Sequence, residues 1–329
     1  MKKRSLFKEG DGIVYHYTSL DTFLKILDGF KYEYIIFHGT DIFSMNDPTE
    51  FVQGFIDLWT LLPQIEDTLY RHIKEAPHDY NIKMNLLDDK YRVSNMWKIM
   101  GGDDESWLKA HVEAMHQSYN TPFVVSFSCH ADYLPMWTTY GDDGKGVAIG
   151  VEVQDFFKRI QLEDGSFYFD FTKIDTNEYR SLLVSYDKIT INSILAKYAW
   201  FQIRNYLEEI SAIDFDNDSL LLYQSKALDN IVQISAALNK NEAYRYEKEA
   251  RLISFKQDIR EVKFKVSMKK NLLPYIRIGI PVNRLKRIIM GPCCDESSVK
   301  NALRVRYKQL GIPFDEECIV KSEIPYRAL

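Results

Sequence analysis

Tyr246-Glu247-Lys248-Glu249-Ala250-Arg251-Leu252-Ile253 turns from charge to apolar character within a few residues. Side chains alternate between the two faces of a strand, so Glu247, Glu249 and Arg251 share one face. Burying a charge without a partner is costly, so three charges entering an apolar strand need partners or a cleft. Either this is a Glu–Arg ion pair at a sheet edge, or the acids serve a ligand.

Outward from this stretch the pattern is that of a mixed α/β chain. Downstream, strands are predicted at Arg251–Phe255, Val262–Val266, Ile276–Ile280 and Leu285–Met290. A helix follows from about Ser297 to Leu310, closed by Gly311, and a last strand covers Cys318–Lys321. Upstream, Leu195, Ala199, Ile203, Leu207 and Ile210 form one helical stripe, and Ala227, Ile231, Ile234 and Leu238 another. Further strands are predicted at Ile13–Tyr17, Tyr34–His38, Phe123–Ser128 and Gly146–Val153, with short helices at Leu20–Leu27 and Leu134–Tyr140. Asp47-Pro48 opens a largely helical stretch that runs to about Gln117. No repeat or flexible linker interrupts the 329 residues, so one domain over 1–329 is expected, with helical insertions at about 52–118 and 190–247.

Composition narrows the class. Apolar residues make up 46% of the chain, enough for a sizeable core, and 21 Tyr and 19 Phe imply ring-lined clefts. The net charge of −5 argues against indiscriminate nucleic-acid binding. The charge is uneven, however. Residues 251–329 carry 17 Lys and Arg against 8 Asp and Glu, while residues 1–250 carry 25 against 39. The basic last quarter reads either as solvated strand faces, with Lys263, Lys265 and Lys269 alternating, or as one local phosphate or polyanion site. No apolar run has the length of a membrane span, and the basic start Met1–Gly10 lacks the apolar stretch of a secretory signal. Four cysteines without metal-ligand spacing predict no disulfide and no zinc, and a cytoplasmic setting.

Several chemical motifs fail on spacing. Gly141-Asp142-Asp143-Gly144-Lys145-Gly146 is too short for a phosphate loop, and neither a G-x-G-x-x-G after a strand nor a G-x-S-x-G elbow is present. His111 and His116 are five apart, about 140° around a helix, and cannot easily share a metal. Asp214, Asp216 and Asp218 begin like a calcium loop, but Ser219 and Ser225 stand where Gly and Glu are required, so a helix-capping turn is expected. Gly291-Pro292-Cys293-Cys294 offers amides to an anion, but Asp295 and Glu296 already occupy that first turn.

What remains is a set of polar groups at strand ends. His16-Tyr17-Thr18-Ser19 lies at the end of the first strand, with Ser19 or Thr18 alternatively capping the next helix. Met45-Asn46-Asp47-Pro48-Thr49-Glu50-Phe51 is a rigid turn. Ser126 and Ser128 share a strand face, and Trp137 and Tyr140 share a face of a helical turn, where they either stack on a flat ligand or fill the core.

Taken in order, H-Y-T-S, N-D-P-x-E-F, W-x-x-Y-G with G-V-A-I-G, E-x-E-x-R-L, I-x-x-G-P and S-x-I-P-Y-R resemble the bacterial family called domain of unknown function 2971, from His16 to Arg327. Ala250 stands where that family usually has Trp. More distantly, a strand-end histidine, a serine-bearing strand and an acid opening a late strand are similar to the ADP-ribosyltransferase superfamily. That resemblance implies a split, mostly antiparallel sheet and NAD as substrate, with no metal. It implies cleavage of the nicotinamide–ribose bond and transfer of ADP-ribose to an unknown acceptor, protein or nucleic acid, as in a bacterial toxin or phage-defence effector. Carried over, Glu249, Glu247 and His16 are the catalytic candidates. His16, Tyr17, Thr18, Ser19, Ser126, Ser128, Trp137, Tyr140 and Arg251 are the NAD-binding candidates, with Tyr140 stacking and Ser126 or Ser128 orienting Glu249. The rival expectation is a non-catalytic regulatory module that binds nucleic acid or protein, with E-x-E-x-R as a structural ion pair.

Overall fold

The structure, a computed structural model, describes residues 12–28, 34–45, 50–99, 122–152, 159–161, 167–169, 179–183, 188–238, 240, 242–254, 259–266, 272–311, 313 and 315–327. The turn at 46–49, the histidines at 111 and 116 and Lys269 lie outside these residues.

The strands are β1 (Ile13–Thr18), β2 (Tyr34–Asp41), β3 (Phe123–Ser128), β4 (Val147–Glu152), β5 (Arg159–Gln161), β6 (Phe167–Phe169), β7 (Tyr179–Leu183), β8 (Glu249–Ser254), β9 (Lys263–Val266), β10 (Leu272–Pro281), β11 (Leu285–Met290) and β12 (Ile319–Lys321). All except the β5–β6 hairpin join one sheet in the order β12-β11-β4-β1-β3-β2-β10-β9, with β8 pairing β3 and β7 pairing β8. Among the described residues only the β11–β12 pair is parallel. The four strands that carry the polar motifs therefore meet in one sheet.

The sheet parts in its middle. β8 runs along all six residues of one edge of β3, from Phe123↔Ser254 to Ser128↔Glu249. The other edge of β3 is shared. β2 takes Phe123 and Val124, and β1 touches only at Tyr15↔Ser128. Between these two contacts β1 and β2 diverge, and an opening faces Val125 to Phe127.

Register assigns the faces. Val124, Ser126 and Ser128 lie on one face with Tyr15, Tyr17, Glu249 and Arg251, and Thr40 joins them opposite Val124. This face is covered in two parts. The first cover is the helical layer of α2 (Glu50–Glu75), α3 (Val93–Ile99), α5 (Lys188–Ala212) and α6 (Asn217–Leu238). Leu195, Ala199, Ile203, Leu207 and Ile210 of α5 are buried there, as their spacing predicts. The buried Glu66 of α2 ties in α3 by accepting from the backbone N–H of Val93 at 2.7 Å. The second cover is the short α4 (Leu134–Thr139), which packs Met136 and Trp137 on Tyr15, Tyr17, Ala148 and Ile289. The opposite face packs α1 (Leu20–Leu27) and α7 (Glu296–Leu310), with Phe23, Ile26, Val299 and Leu303 buried. No helix of the described residues is long and apolar enough to cross a membrane.

The motif glycines hold the turn before β4 tight. A Cβ on Gly146 would lie 2.1 Å from the carbonyl oxygen of Thr18 and 2.9 Å from that of Gly141. Both obstacles are backbone and cannot step aside. Gly146→Ala is expected to cost at the upper end of about 1–3 kcal/mol, because overpacking here moves main chain rather than a rotamer. A chemical-denaturation midpoint equal to that of the parent protein would refute the close approach.

Candidate functional site

A cavity opens where the two covers of the sheet fail to meet. Its walls are β1 and β3 at the parting of the sheet, Met136 and Tyr140 of the α4 turn, and the segment that leads from α6 into β8. His16, Ser126, Tyr140, Lys240, Glu247 and Glu249 belong to its polar lining. The enclosed room is about 120 Å³. A cavity of about 150 Å³ holds a single benzene-sized ring, so this one takes a ring and not a dinucleotide.

The charged side is one connected network. Arg251, fully buried, forks onto Glu249, with Nε donating to Oε1 and an Nη donating to Oε2, both at 3.0 Å. Its other Nη donates to the carbonyl of Ala237 at the end of α6, at 3.1 Å. Lys240 donates to Glu249 Oε2 at 2.6 Å and also to Glu247 Oε2. Tyr140 donates its hydroxyl to Glu247 Oε1 at 2.6 Å. Glu247 and Glu249 are each 3% exposed. Two carboxylates and two cations thus neutralise each other inside the fold, which is what lets such charges be buried. Burial alone would push the Glu249 carboxyl up. Arg251 and Lys240 pull harder and hold it at about 2. Lys248 sits between the acids with φ 41°, in the left-handed region that a non-glycine residue enters only at a cost. Its own side chain is exposed.

The neutral side is built on His16. Its ring stands at the opening between β1 and β2, edge-on to Phe37 at 5.1 Å and to Phe127 at 5.8 Å. Nδ1 lies 2.9 Å from the Ser126 carbonyl. A carbonyl only accepts, so Nδ1 carries the proton and Nε2 of the neutral ring is an acceptor. Burial, only partly offset by that hydrogen bond, lowers the pKa of His16 to about 4. Neutral His16 is therefore part of the native state, whereas the unfolded chain takes up a proton near 6.5. Stability is fully present above pH 6.5 and is lost as the pH falls toward 4, by up to about 3 kcal/mol and less where water reaches the ring. His38, also lowered to about 4 by burial and by Lys265 and Arg277, adds to the same window. Glu249 is lost only further down, between its ordinary value and about 2. Thermal melts at pH 7 and pH 4.5 are expected to separate less in His16→Gln than in the parent protein. An unchanged separation would count against a neutral His16.

The remaining candidates fall into two groups. Tyr17, Ser126, Ser128 and Tyr140 line the cavity. Of these, Tyr17 is tied by its hydroxyl to the His130 carbonyl at 2.9 Å. The Ser128 hydroxyl donates to the Glu247 carbonyl at 2.6 Å and so orients the acid segment. Thr18, Ser19, Trp137 and Arg251 do not form the lining. Thr18 is buried opposite Val147. Ser19 caps α1 by accepting from Thr22 N–H at 3.3 Å. Trp137 is 0% exposed, stands edge-on to Tyr17 at 4.7 Å and donates to Asp132 at 2.6 Å. It is core, as large rings usually are. Asp132 also accepts from Ser322 Oγ and the Glu323 N–H, which fastens the closing S-x-I-P-Y-R segment to the Trp137 turn. At the Gly291 loop, the N–H groups of Gly291, Cys293 and Cys294 are spent on the carbonyls of Gly146, Gly144 and Gly291. Asp216 accepts from Ser219 N–H at the start of α6, as a capping turn does. Among the described residues no cluster of metal-ligating side chains occurs.

Lys240 is the residue the sequence pattern did not single out. The signal was present as arithmetic: two acids and one arginine on a buried face leave one negative charge over, so a second cation has to be close.

Residues 136–252 match the family model described as protein of unknown function (DUF2971). The matched span includes Tyr140, Lys240, Glu247 and Glu249 and leaves out His16. No curated protein and no solved structure matches the chain.

Proposed function

We propose that this protein is an ADP-ribosyltransferase-like enzyme that cleaves the nicotinamide–ribose bond of NAD and passes ADP-ribose to a protein or nucleic-acid acceptor. The observation that carries the proposal is that His16, Tyr140, Glu247 and Glu249 line one ring-sized cavity at the parting of the sheet. A nicotinamide carboxamide has an N–H to give and a carbonyl to receive. His16 Nε2 accepts, and the Ser126 hydroxyl donates. Aromatic walls from Tyr15, Tyr17 and Tyr140 suit the flat ring.

Breaking the bond to nicotinamide leaves positive charge on the ribose, and a fixed carboxylate stabilises it without forming a covalent bond. Between the two acids we assign this task to Glu247. Both oxygens of Glu249 are held by Arg251 and one also by Lys240. Glu249 thereby positions Lys240, and Lys240 with Tyr140 orients Glu247. In an effector of toxin or phage-defence type, the acceptor would meet the ribose at the cavity mouth.

One observation favours a second reading. The two carboxylates and two cations already cancel, as a purely structural cluster would. A non-catalytic module that binds protein or nucleic acid would need no more. Incubating the protein with NAD, alone and with acceptor extracts, and measuring free nicotinamide separates the two readings. Release above the spontaneous rate supports the enzyme. Absence of both NAD binding and release leaves the module.

A further inference from the structure

The face of the sheet that floors the cavity continues across the parting onto β2, β10 and β9. Thr40 lies opposite Val124, Tyr275 opposite Thr40, Arg277 opposite His38, and Lys263 opposite Tyr275. Lys265, two residues on from Lys263, shares this face. His38, Tyr275, Lys265 and Arg277 therefore stand beside the cavity on the same side of the sheet. His38 lies against the Tyr275 ring at 4.2 Å. Lys265 Nζ lies over that ring at 5.6 Å and donates to the Thr40 hydroxyl at 3.1 Å.

This cluster is electrically the opposite of the Glu–Lys–Glu–Arg knot. Lys265 is half-buried, and neither it nor Arg277 has a carboxylate partner among the described residues. Burial pushes the Lys265 ammonium down, and its charge in turn depresses both His16 and His38. Partly burying a lysine against an aromatic ring with only a neutral hydroxyl for company is unfavourable unless an anion completes it. The cavity has room for one ring, so the remainder of a dinucleotide has to lie outside it, along this surface.

We propose that Lys265 and Arg277, with His38 and the Thr40 hydroxyl, form a subsite for the phosphoryl groups of a small nucleotide whose other end enters the cavity. In naming the diphosphate of NAD as its occupant this rests on the function proposed above; as a phosphoryl subsite it does not. The ammonium supplies a point charge and the exposed guanidinium a fork, and the Tyr275 ring lies under the ammonium and against His38.

Titration calorimetry with ADP-ribose, ADP, pyrophosphate and nicotinamide tests it in the intact chain. ADP-ribose and ADP are expected to bind. Lys265→Met, which keeps an unbranched apolar side chain and removes the charge, is expected to weaken both about tenfold and to leave nicotinamide unchanged, while Lys265→Arg restores most of the affinity. ADP-ribose binding that depends on Lys265 in a protein that never releases nicotinamide upholds the subsite and removes the NAD-cleaving reading. NAD cleavage with an unchanged KM in Lys265→Met does the reverse. Equal binding of ADP-ribose by parent and Lys265→Met overturns the subsite, as does binding of a single-stranded oligonucleotide with no binding of ADP-ribose.

Discussion

Arg251→Met is expected to lower folding stability by about 3–5 kcal/mol, the largest loss from any single change in the site. Methionine fills much of the same space without the charge. Of its two cations Glu249 then keeps Lys240, which also serves Glu247, and the charges of the buried cluster no longer cancel. The Ala237 carbonyl loses its donor as well. A guanidinium denaturation curve measures the effect as a lower midpoint. Glu249→Leu combined with Arg251→Met is expected to recover part of the loss, because removing both members of a buried pair costs less than orphaning one. A loss under about 1 kcal/mol in the single variant would mean that water reaches the fork, and the buried network as described would be wrong.

Glu247→Gln is expected to lower nicotinamide release by about a hundredfold to a thousandfold, the scale seen when one electrostatic contact to a transition state is removed. The glutamine carbonyl still accepts from Tyr140, but its NH2 turns a donor toward Lys240, so the variant also loses some stability and release is compared per folded molecule. Affinity for NAD is expected to change little, since the charge being stabilised exists only in the transition state. Glu249→Gln is expected to behave differently. It weakens the hold on Arg251 and costs typically about 1–3 kcal/mol of stability, while activity per folded molecule is largely kept. Melting temperature and nicotinamide release, measured on the same preparations, order the two acids. A Glu249 variant that is stable and dead, beside a Glu247 variant that is active, would exchange their roles.

Much of the fold was legible because its signals are local. The stripe of α5, the Gly311 cap at φ 66° and the apolar strand after Glu249 each follow from spacing or from one residue's backbone freedom. The parting of the sheet was expected only through resemblance, because nothing within β1, β2 or β3 encodes that two strands share one edge of a third. β5, β6 and β7 carry short, mixed sequence and give no period to read. In the site, the acids stood out because charge at the start of an apolar strand is conspicuous, and His16 because a polar ring beside hydroxyl residues is; the structure places His16 inside β1 rather than at its end. Lys240 did not, because a lysine past a helix end looks like any solvated one until the acids around it are counted. Trp137 and Tyr140, three apart, looked equivalent. Packing distinguished them, sending one into the core beside Tyr17 and the other to the cavity.

The knot has a consequence for the chain entropy lost when the site closes. Lys240 reaches Glu247 and Glu249 across only 7 and 9 residues, whereas Tyr140 reaches Glu247 across 107 and His16 reaches Ser126 across 110. Closing a short loop takes tens of nanoseconds and little entropy, while long-range strand pairing is slow. The lysine clasp is therefore the part of the site that costs least chain entropy to close, and the contacts of Tyr140 and His16 across the sheet carry the larger share.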